Sequence, residues 1–245
     1  MNFDLDKNKR AEIWNYLITC LEEFYGDTAS LKTSNVASRQ DVRAELITSF
    51  DKKLEMEEGI EHVIEGLKKY SVHTPHPDYF GLFNPRANFP SILADAITAT
   101  FNPQLAAWSH SPFASEVEAL LVREVGKKFG YKEGEIDGVF ATGGGEANLT
   151  AVLTALNWKF PQIAAEGIFS ITGKPRIYCS SEAHHTAIKS ARICGLGANS
   201  LKNIPVNEKQ EMIPELLEKE IEKDIADGCQ PFLIFATMGT TGSAA

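Results

Sequence analysis

The chain has 245 residues, 43% hydrophobic and 23% charged, an ordinary globular composition with enough apolar material to build the core of one large or two medium domains. A net charge of −9, without any Lys/Arg block, argues against nucleic acid as the main partner, because a polynucleotide needs a basic face to offset its phosphates. The polar start, Met1-Asn2-Phe3-Asp4, has neither the basic nor the apolar region of a signal peptide, and no stretch approaches a membrane span; the expected location is the cytoplasm.

Residues 8 to about 25 place Ile13, Leu17, Leu21 and Phe24 on one helical face, and a second helical region of mixed charge runs from Val42 to Leu67, with an interruption expected at Glu57-Glu58-Gly59. Residues 1–73 therefore read as an N-terminal helical segment. Composition changes from Thr74 to Pro112, where Pro75, Pro77, Pro85, Pro90, Pro103 and Pro112 are interleaved with Tyr79, Phe80, Phe83, Phe89, Phe101 and Trp108. Proline removes donors and the aromatics need burial, so residues 74–112 are expected to be irregular yet packed, as a site lining, a subunit contact or a plain covering loop. Ser111-Pro112 supplies a cap and a first-turn proline for a helix that turns Val117, Leu120 and Leu121 inward and ends near Gly130.

From there strands alternate with helices. The expected strands are Gly138–Thr142, Arg176–Ser180, Leu201–Val206 and Phe232–Thr237, with helices over about 145–160, 183–195 and 213–227, the last running from Pro214 to Gly228. Near-continuous apolar strands such as Phe232-Leu233-Ile234-Phe235-Ala236 suit a sheet covered on both faces, and the alternation predicts mostly parallel pairing in a doubly wound α/β layer over residues 113–245. In such sheets ligands gather beyond the carboxyl ends of the strands, where the polar clusters Thr142–Asn148, Ser180–Thr186 and Thr237–Thr241 all fall.

The most telling cluster is Gly143-Gly144-Gly145-Glu146-Ala147-Asn148, between an apolar run and a helix. Three residues without Cβ let backbone N–H groups approach an anion, and the helix they open adds free N–H groups and its positive dipole end. A phosphoester is the natural guest, although such a turn alone also serves as a simple strand-to-helix connection. Metal chemistry is not expected: the six histidines show no zinc spacing, and His184 and His185, adjacent at a helix start, should diverge by about 100°. Cys20, Cys179, Cys194 and Cys229 form no C-x-x-C pair and read as reduced, small apolar residues.

Together these residues resemble the group II pyridoxal-phosphate-dependent amino-acid decarboxylases, which include the aromatic-amino-acid and glutamate decarboxylases. The likeness covers the chain from about His76 onward. It is carried by His76-Pro77-Asp78-Tyr79-Phe80-Gly81, Ser111-Pro112 with Glu116-Val117-Glu118, the glycine turn with Glu146-Ala147-Asn148, His185-Thr186-Ala187-Ile188-Lys189-Ser190-Ala191 and Ala236-Thr237-Met238-Gly239-Thr240-Thr241.

The resemblance implies a fold type I architecture, pyridoxal 5'-phosphate as cofactor, decarboxylation of an L-amino acid to amine and carbon dioxide, and a homodimer with sites at the subunit boundary. It implies that Gly144 and Gly145 grip the phosphate, that His185 stacks on the coenzyme ring and acts as the catalytic imidazole, that Thr240 offers a hydroxyl near the ring, and that Phe83, Asn84 and Gln104 line the substrate entrance. His184 falls behind the stacking position. In the family the Schiff-base lysine and the aspartate paired with the pyridine nitrogen lie further downstream, so Lys189 is not assigned that part, and the chain is expected to be the N-terminal half of a longer enzyme, itself inactive. Other fold type I lyases or aminotransferases, and a non-catalytic coenzyme-binding or interaction protein, use the same scaffold. Arg86 raises the question of an acidic substrate; a solvent-facing arginine is the alternative.

Overall fold

The computed structural model describes residues 4–47, 51, 54–81 and 84–244. They form two compact units, Met1–Phe101 and Asn102–Ala245.

The first unit is helical. Helix α1 (Lys7–Asp27) starts at Asp6, whose carboxylate accepts the Lys9 N–H at 2.9 Å. Its inward stripe differs from the expected one at a single position: Ile13, Leu17 and Phe24 are half-buried, but Leu21 is 43% exposed and Cys20 is turned in instead. Helix α2 (Arg39–Glu45) opens with a reciprocal Ser38/Asp41 capping box, and α3 (Met56–Tyr70) with another between Glu55 and Glu58. Glu57-Glu58-Gly59 therefore begins a helix and does not interrupt one. Acids at its start and Lys68 and Lys69 in its last turn both suit the helix dipole. The proline-aromatic stretch also holds a helix, α4 (Phe89–Phe101), where irregular chain was expected. Asn88 caps it by accepting the Ser91 N–H at 2.9 Å, and Pro90 sits in the first turn, where a missing N–H costs no bond.

The second unit carries α5 (Pro112–Lys128), α6 (Gly144–Lys159), α7 (Ile163–Glu166), β1 (Lys174–Ser180), α8 (Thr186–Ile193), β2 (Leu201–Ile204), α9 (Pro214–Ala226) and β3 (Cys229–Phe235). Ser111 holds the first position before α5 but makes no side-chain cap bond. The α5 stripe is not turned into a core: Val117, Leu120 and Leu121 stay more than a third exposed. Pairing is parallel in the order β2-β1-β3, as the alternation predicts. The first expected strand is not formed; Gly138–Thr142 joins no ladder among the described residues, and its Val139 and Phe140 are 70% and 58% exposed. An apolar run becomes a strand only where a partner supplies ladder bonds, and Thr142 gives its N–H to a side chain instead. Val206, expected within β2, forms an isolated antiparallel bridge with Met212.

Strand alternation sends Ile177 and Tyr178 to opposite faces of β1. Ile177 is sealed against Val152 of α6 and Ala191 of α8, with Leu201, Leu233 and Phe235 beside them. On the other face the Tyr178 hydroxyl donates to Asp224 of α9 at 2.9 Å. The sheet is thus covered on both sides. After α9, Gly228 at φ +74° supplies the left-handed turn into β3 that a side chain would strain.

Asp224 is only 2% exposed and is held by Tyr178, by Arg176 Nε at 3.3 Å and by Lys202 Nζ at 3.6 Å. Burial first, and the bond to Asp224 second, push the Tyr178 phenol above its ordinary range, so it remains a donor. Removing the carboxylate strands a buried phenol and leaves the Arg176 guanidinium with only the Asn199 carbonyl as acceptor among the described residues. Asp224→Ala should cost roughly 3 kcal/mol, toward the low end for a broken buried pair because Lys202 and Arg176 keep some solvent. A shifted urea midpoint in the full-length protein would show it, and an unchanged midpoint would mean that α9 is held by its apolar contacts alone.

Candidate functional site

The carboxyl ends of parallel β1 and β3 point the same way, and the polar segments read from the sequence lie at the α6 start, at the α8 start after β1, and beyond β3. The turn before α6 is built from its own side chains. Glu146 reaches back so that one carboxylate oxygen accepts both the Thr142 N–H at 2.7 Å and the Thr142 hydroxyl at 2.6 Å. These two bonds, the hydroxyl's first, hold its carboxyl below the ordinary glutamate value. The Gly143 carbonyl accepts from Glu146 and Ala147, the first amides to bond within the helix. The Gly144 and Gly145 amides come before that point and have no protein partner among the described residues. A Cβ built on Gly143 or Gly144 would meet nothing within 4 Å, so there is open space beside these two residues.

The second segment follows β1. Ser180 shapes its turn: the hydroxyl accepts the Glu182 N–H at 3.1 Å and the carbonyl accepts the Ala183 N–H at 3.0 Å. His184 and His185 come next, with His185 as the residue immediately before α8. Because both precede the helix, their rings do not fan apart as helical neighbours would. Their centroids are 4.1 Å apart with planes tilted by 35°, which corrects the expected divergence. Among the described residues no group of three His, Cys, Asp or Glu side chains gathers as a metal site.

The two helix starts are tied together. Asn148 Nδ2 donates to Thr186 Oγ1 at 2.6 Å, and a Cβ on Gly145 would lie 3.8 Å from the Thr186 methyl. The glycine turn thus lies against Thr186, the first residue of α8, which His185 precedes in the chain. An anion held by the Gly144 and Gly145 amides would sit at a helix N-terminus beside an exposed imidazole, a set of donors that fits a phosphorylated ring compound. The part played by Thr186 was not read from the sequence; the only signal for it is that Asn148 and Thr186 lie in the two motif segments.

Thr240 lies beyond β3 in a turn where its hydroxyl bonds Ser243 and its carbonyl accepts the Ala244 N–H at 2.8 Å. Cys179 pairs in register with Phe235 and the strands are parallel, so this turn and the histidines follow the same carboxyl end of the sheet. Gln104 is exposed in the loop before α5, Asn84 is exposed in the first unit, and Phe83 lies outside the described residues. Lys189 is exposed on α8. Arg86 is engaged within the first unit: Nη2 donates to the Tyr25 carbonyl at 2.8 Å, and the guanidinium lies 3.6 Å from the centre of the Tyr25 ring. All four cysteines are free thiols, and burial raises those of Cys179 and Cys194.

Residues 40–245 match the family model described as the pyridoxal-dependent decarboxylase conserved domain. The chain is 32% identical to the acidic amino acid decarboxylase GADL1 of Xenopus tropicalis, over 76% of this chain and 36% of that protein. It is 30% identical to the human cysteine sulfinic acid decarboxylase, over 71% of this chain and 34% of that one. Among solved structures, mouse CSAD superposes with a TM-score of 0.87 at 25% identity, covering 97% of this chain and 50% of that one. A Catharanthus roseus tryptophan decarboxylase superposes at 0.88 with 18% identity, a likeness of fold alone, over 100% of this chain and 54% of its own. The chain thus spans about a third of the curated relatives and about half of the solved chains.

The Glu146 brace has a pH signature. Its carboxyl is depressed on folding, so the brace is complete above the ordinary value of 4.5 and is lost as pH falls through the lower folded value. Amide-exchange protection at Thr142 and Ala147 should fall in that acidic window. Glu146→Gln keeps an acceptor and should remove the pH step; Glu146→Ala should lose about fivefold in protection above that window, as expected for about one net hydrogen bond, and approach the wild type below it. Protection that ignores both variants would show the turn is held some other way.

Proposed function

This chain belongs to the pyridoxal-dependent decarboxylase family, and from that premise we propose that the full-length protein releases carbon dioxide from an L-amino acid, with acidic amino acids as its substrate class. The family's cofactor is pyridoxal 5'-phosphate. The observation that supports the reading is the Asn148–Thr186 bond, which ties the start of α6, where the glycine turn lies, to the start of α8, which His185 precedes.

In this reading the Gly144 and Gly145 N–H groups hold the phosphate oxygens, assisted by the α6 dipole. When bound, the coenzyme supplies an electron sink for the pair left on Cα as the carboxylate departs. His185 covers the ring face and is placed to orient the carboxylate or move a proton near it. Thr240 contributes a hydroxyl from the β3 end of the same sheet edge, and Phe83, Asn84 and Gln104 line the approach. The acidic preference is supported by relatives that act, by name, on acidic amino acids, cysteine sulfinic acid and glutamate. It is not supported by Arg86, whose guanidinium is taken by Tyr25.

A homodimer and a cytoplasmic location complete the reading. Large apolar side chains left open on the first unit, including Trp14, Leu67 and Leu93 along a groove of about 700 Å3, are consistent with a protein surface that needs covering. No helix among the described residues is long and apolar enough to cross a membrane.

Purified full-length protein should carry coenzyme absorbance and convert an acidic L-amino acid to the amine with stoichiometric carbon dioxide. His185→Ala should lower kcat/KM by roughly a hundredfold or more. A keto acid as product would assign transamination instead, and a full-length protein without coenzyme absorbance would refute the proposal.

A further inference from the structure

Two long-range ties hold residues 76–86 at their ends, and both are made to the stretch of chain that leaves α1. At the first, the Asp78 N–H can only donate, and it lies 3.0 Å from His76 Nδ1, so that nitrogen presents its lone pair. The Thr33 hydroxyl, 43 positions away in sequence, is 3.1 Å from the same nitrogen and is therefore a donor too. Two donors on Nδ1 leave the His76 ring proton on Nε2. Backbone bonds close the knot: the Thr33 carbonyl accepts the His73 N–H at 2.8 Å, and the His73 and His76 carbonyls accept from His76 and Tyr79 at 3.0 Å each. His73 is held in turn by the Lys68 carbonyl of α3, 2.8 Å from its Nε2. Both imidazoles are buried, at 4% and 9% exposure, and neither has a part in the chemistry proposed above.

At the second tie, Arg86 Nη2 donates to the Tyr25 carbonyl at 2.8 Å across 61 positions, and the guanidinium stacks on the Tyr25 ring. Tyr25 lies in the last turn of α1, where carbonyls lack partners within the helix and the dipole favours a cation. Tyr25 and Thr33 flank the turn Thr28–Ser30, in which the buried Thr28 hydroxyl donates to the Phe24 carbonyl at 2.6 Å, so both ties end on one firm base. Between the ties the chain is open: Phe80 is 91% exposed, and Asn84 is exposed as well. Its course is set from its ends. Pro85 carries the constraint inward from Arg86, because its ring fixes φ and disfavours helical backbone at Asn84, the residue before it.

We propose that His76 and Arg86 are positioning residues, which fix the path of the chain through Asn84, on the reading above in which Asn84 lines the approach to substrate. Neither side chain needs to touch substrate for this: one is buried against Thr33 and the other is taken by Tyr25. Their effect falls on KM, because the ties set the approach and not the bonds that break.

The test uses the full-length holoenzyme and the L-amino acid that the wild type decarboxylates fastest. Arg86→Met keeps the stem and removes the donors, and His76→Ala removes the acceptor. Each should raise KM about fivefold, the worth of about one net hydrogen bond, with kcat and coenzyme absorbance close to wild type. Hydrogen exchange in residues 77–86 should quicken in both. His76→Asn offers an amide oxygen where Nδ1 stands and should return KM and exchange to near wild type. Unchanged KM in Arg86→Met, a loss confined to kcat, or a His76→Asn variant as impaired as His76→Ala overturns the positioning role and leaves the proposed function standing. Should His76→Ala fail to fold, Arg86→Met, at an exposed position, gives both readings alone. A wild-type protein that decarboxylates no L-amino acid overturns the proposed function, and the positioning role with it.

Discussion

The hydrogen bond between Asn148 and Thr186, 2.6 Å long and closed across 38 positions of sequence, is the constraint on which the site depends. Helix α6 would form without it, because Glu146 braces its own first turn, and α8 would form without it on the apolar packing of Ala187 and Ala191. What neither helix can do alone is place its start beside the other. A shift of an ångström or two there would break the tie and change the spacing of the motif segments that the two helix starts carry. The bond is partly buried, so water competes poorly for its partners.

The sheet divides its work between its two faces. On the Ile177 face the contacts are apolar, which holds α6 and α8 firmly but without a fixed register along their axes. On the Tyr178 face the contacts are polar and directional: the Asp224 carboxylate meets a phenol, a guanidinium and an ammonium from two neighbouring strands. Such a knot is poor evidence for net stability but specific about position. It locks α9 to β1 and β2, and with them the register that brings Cys179 level with Phe235 and so sets the turns bearing His185 and Thr240 at one edge.

Much of this was legible in the residues, and the parts that were not have identifiable causes. Pro214 and Gly228 bracket α9 because each punctuates a helix by its own covalent geometry. Strands β1 and β3 could be read because their apolar runs are long enough to need cover on both faces. Gly138–Thr142 was misread because its apolar character reports a demand for burial, whereas a strand also requires a neighbour to bond with. Helix α4 was missed because prolines and aromatics outweighed one short signal, Asn88 with a first-turn Pro90. The glycine turn and His185 were found separately as motifs. Their adjacency, and the stacking of His184 on His185, depend on the angle at which the chain leaves β1, and no local pattern encodes that angle.

The exposure pattern of the site bears on how the grip works. Gly143, Gly144, Gly145, Glu146, His184 and His185 are all exposed, and only Thr186 and Asn148 lie deeper. A helix N-terminus open to water contributes only about 0.3 to 1 kcal/mol toward an anion, and up to about 2 kcal/mol when partly buried. The Gly144 and Gly145 amides at the α6 start are open to water, where attraction for an anion is at the weak end of that range. The deepest part of this region is the Asn148–Thr186 bond, so the two helix starts are tied from beneath while the residues above them stay open to water.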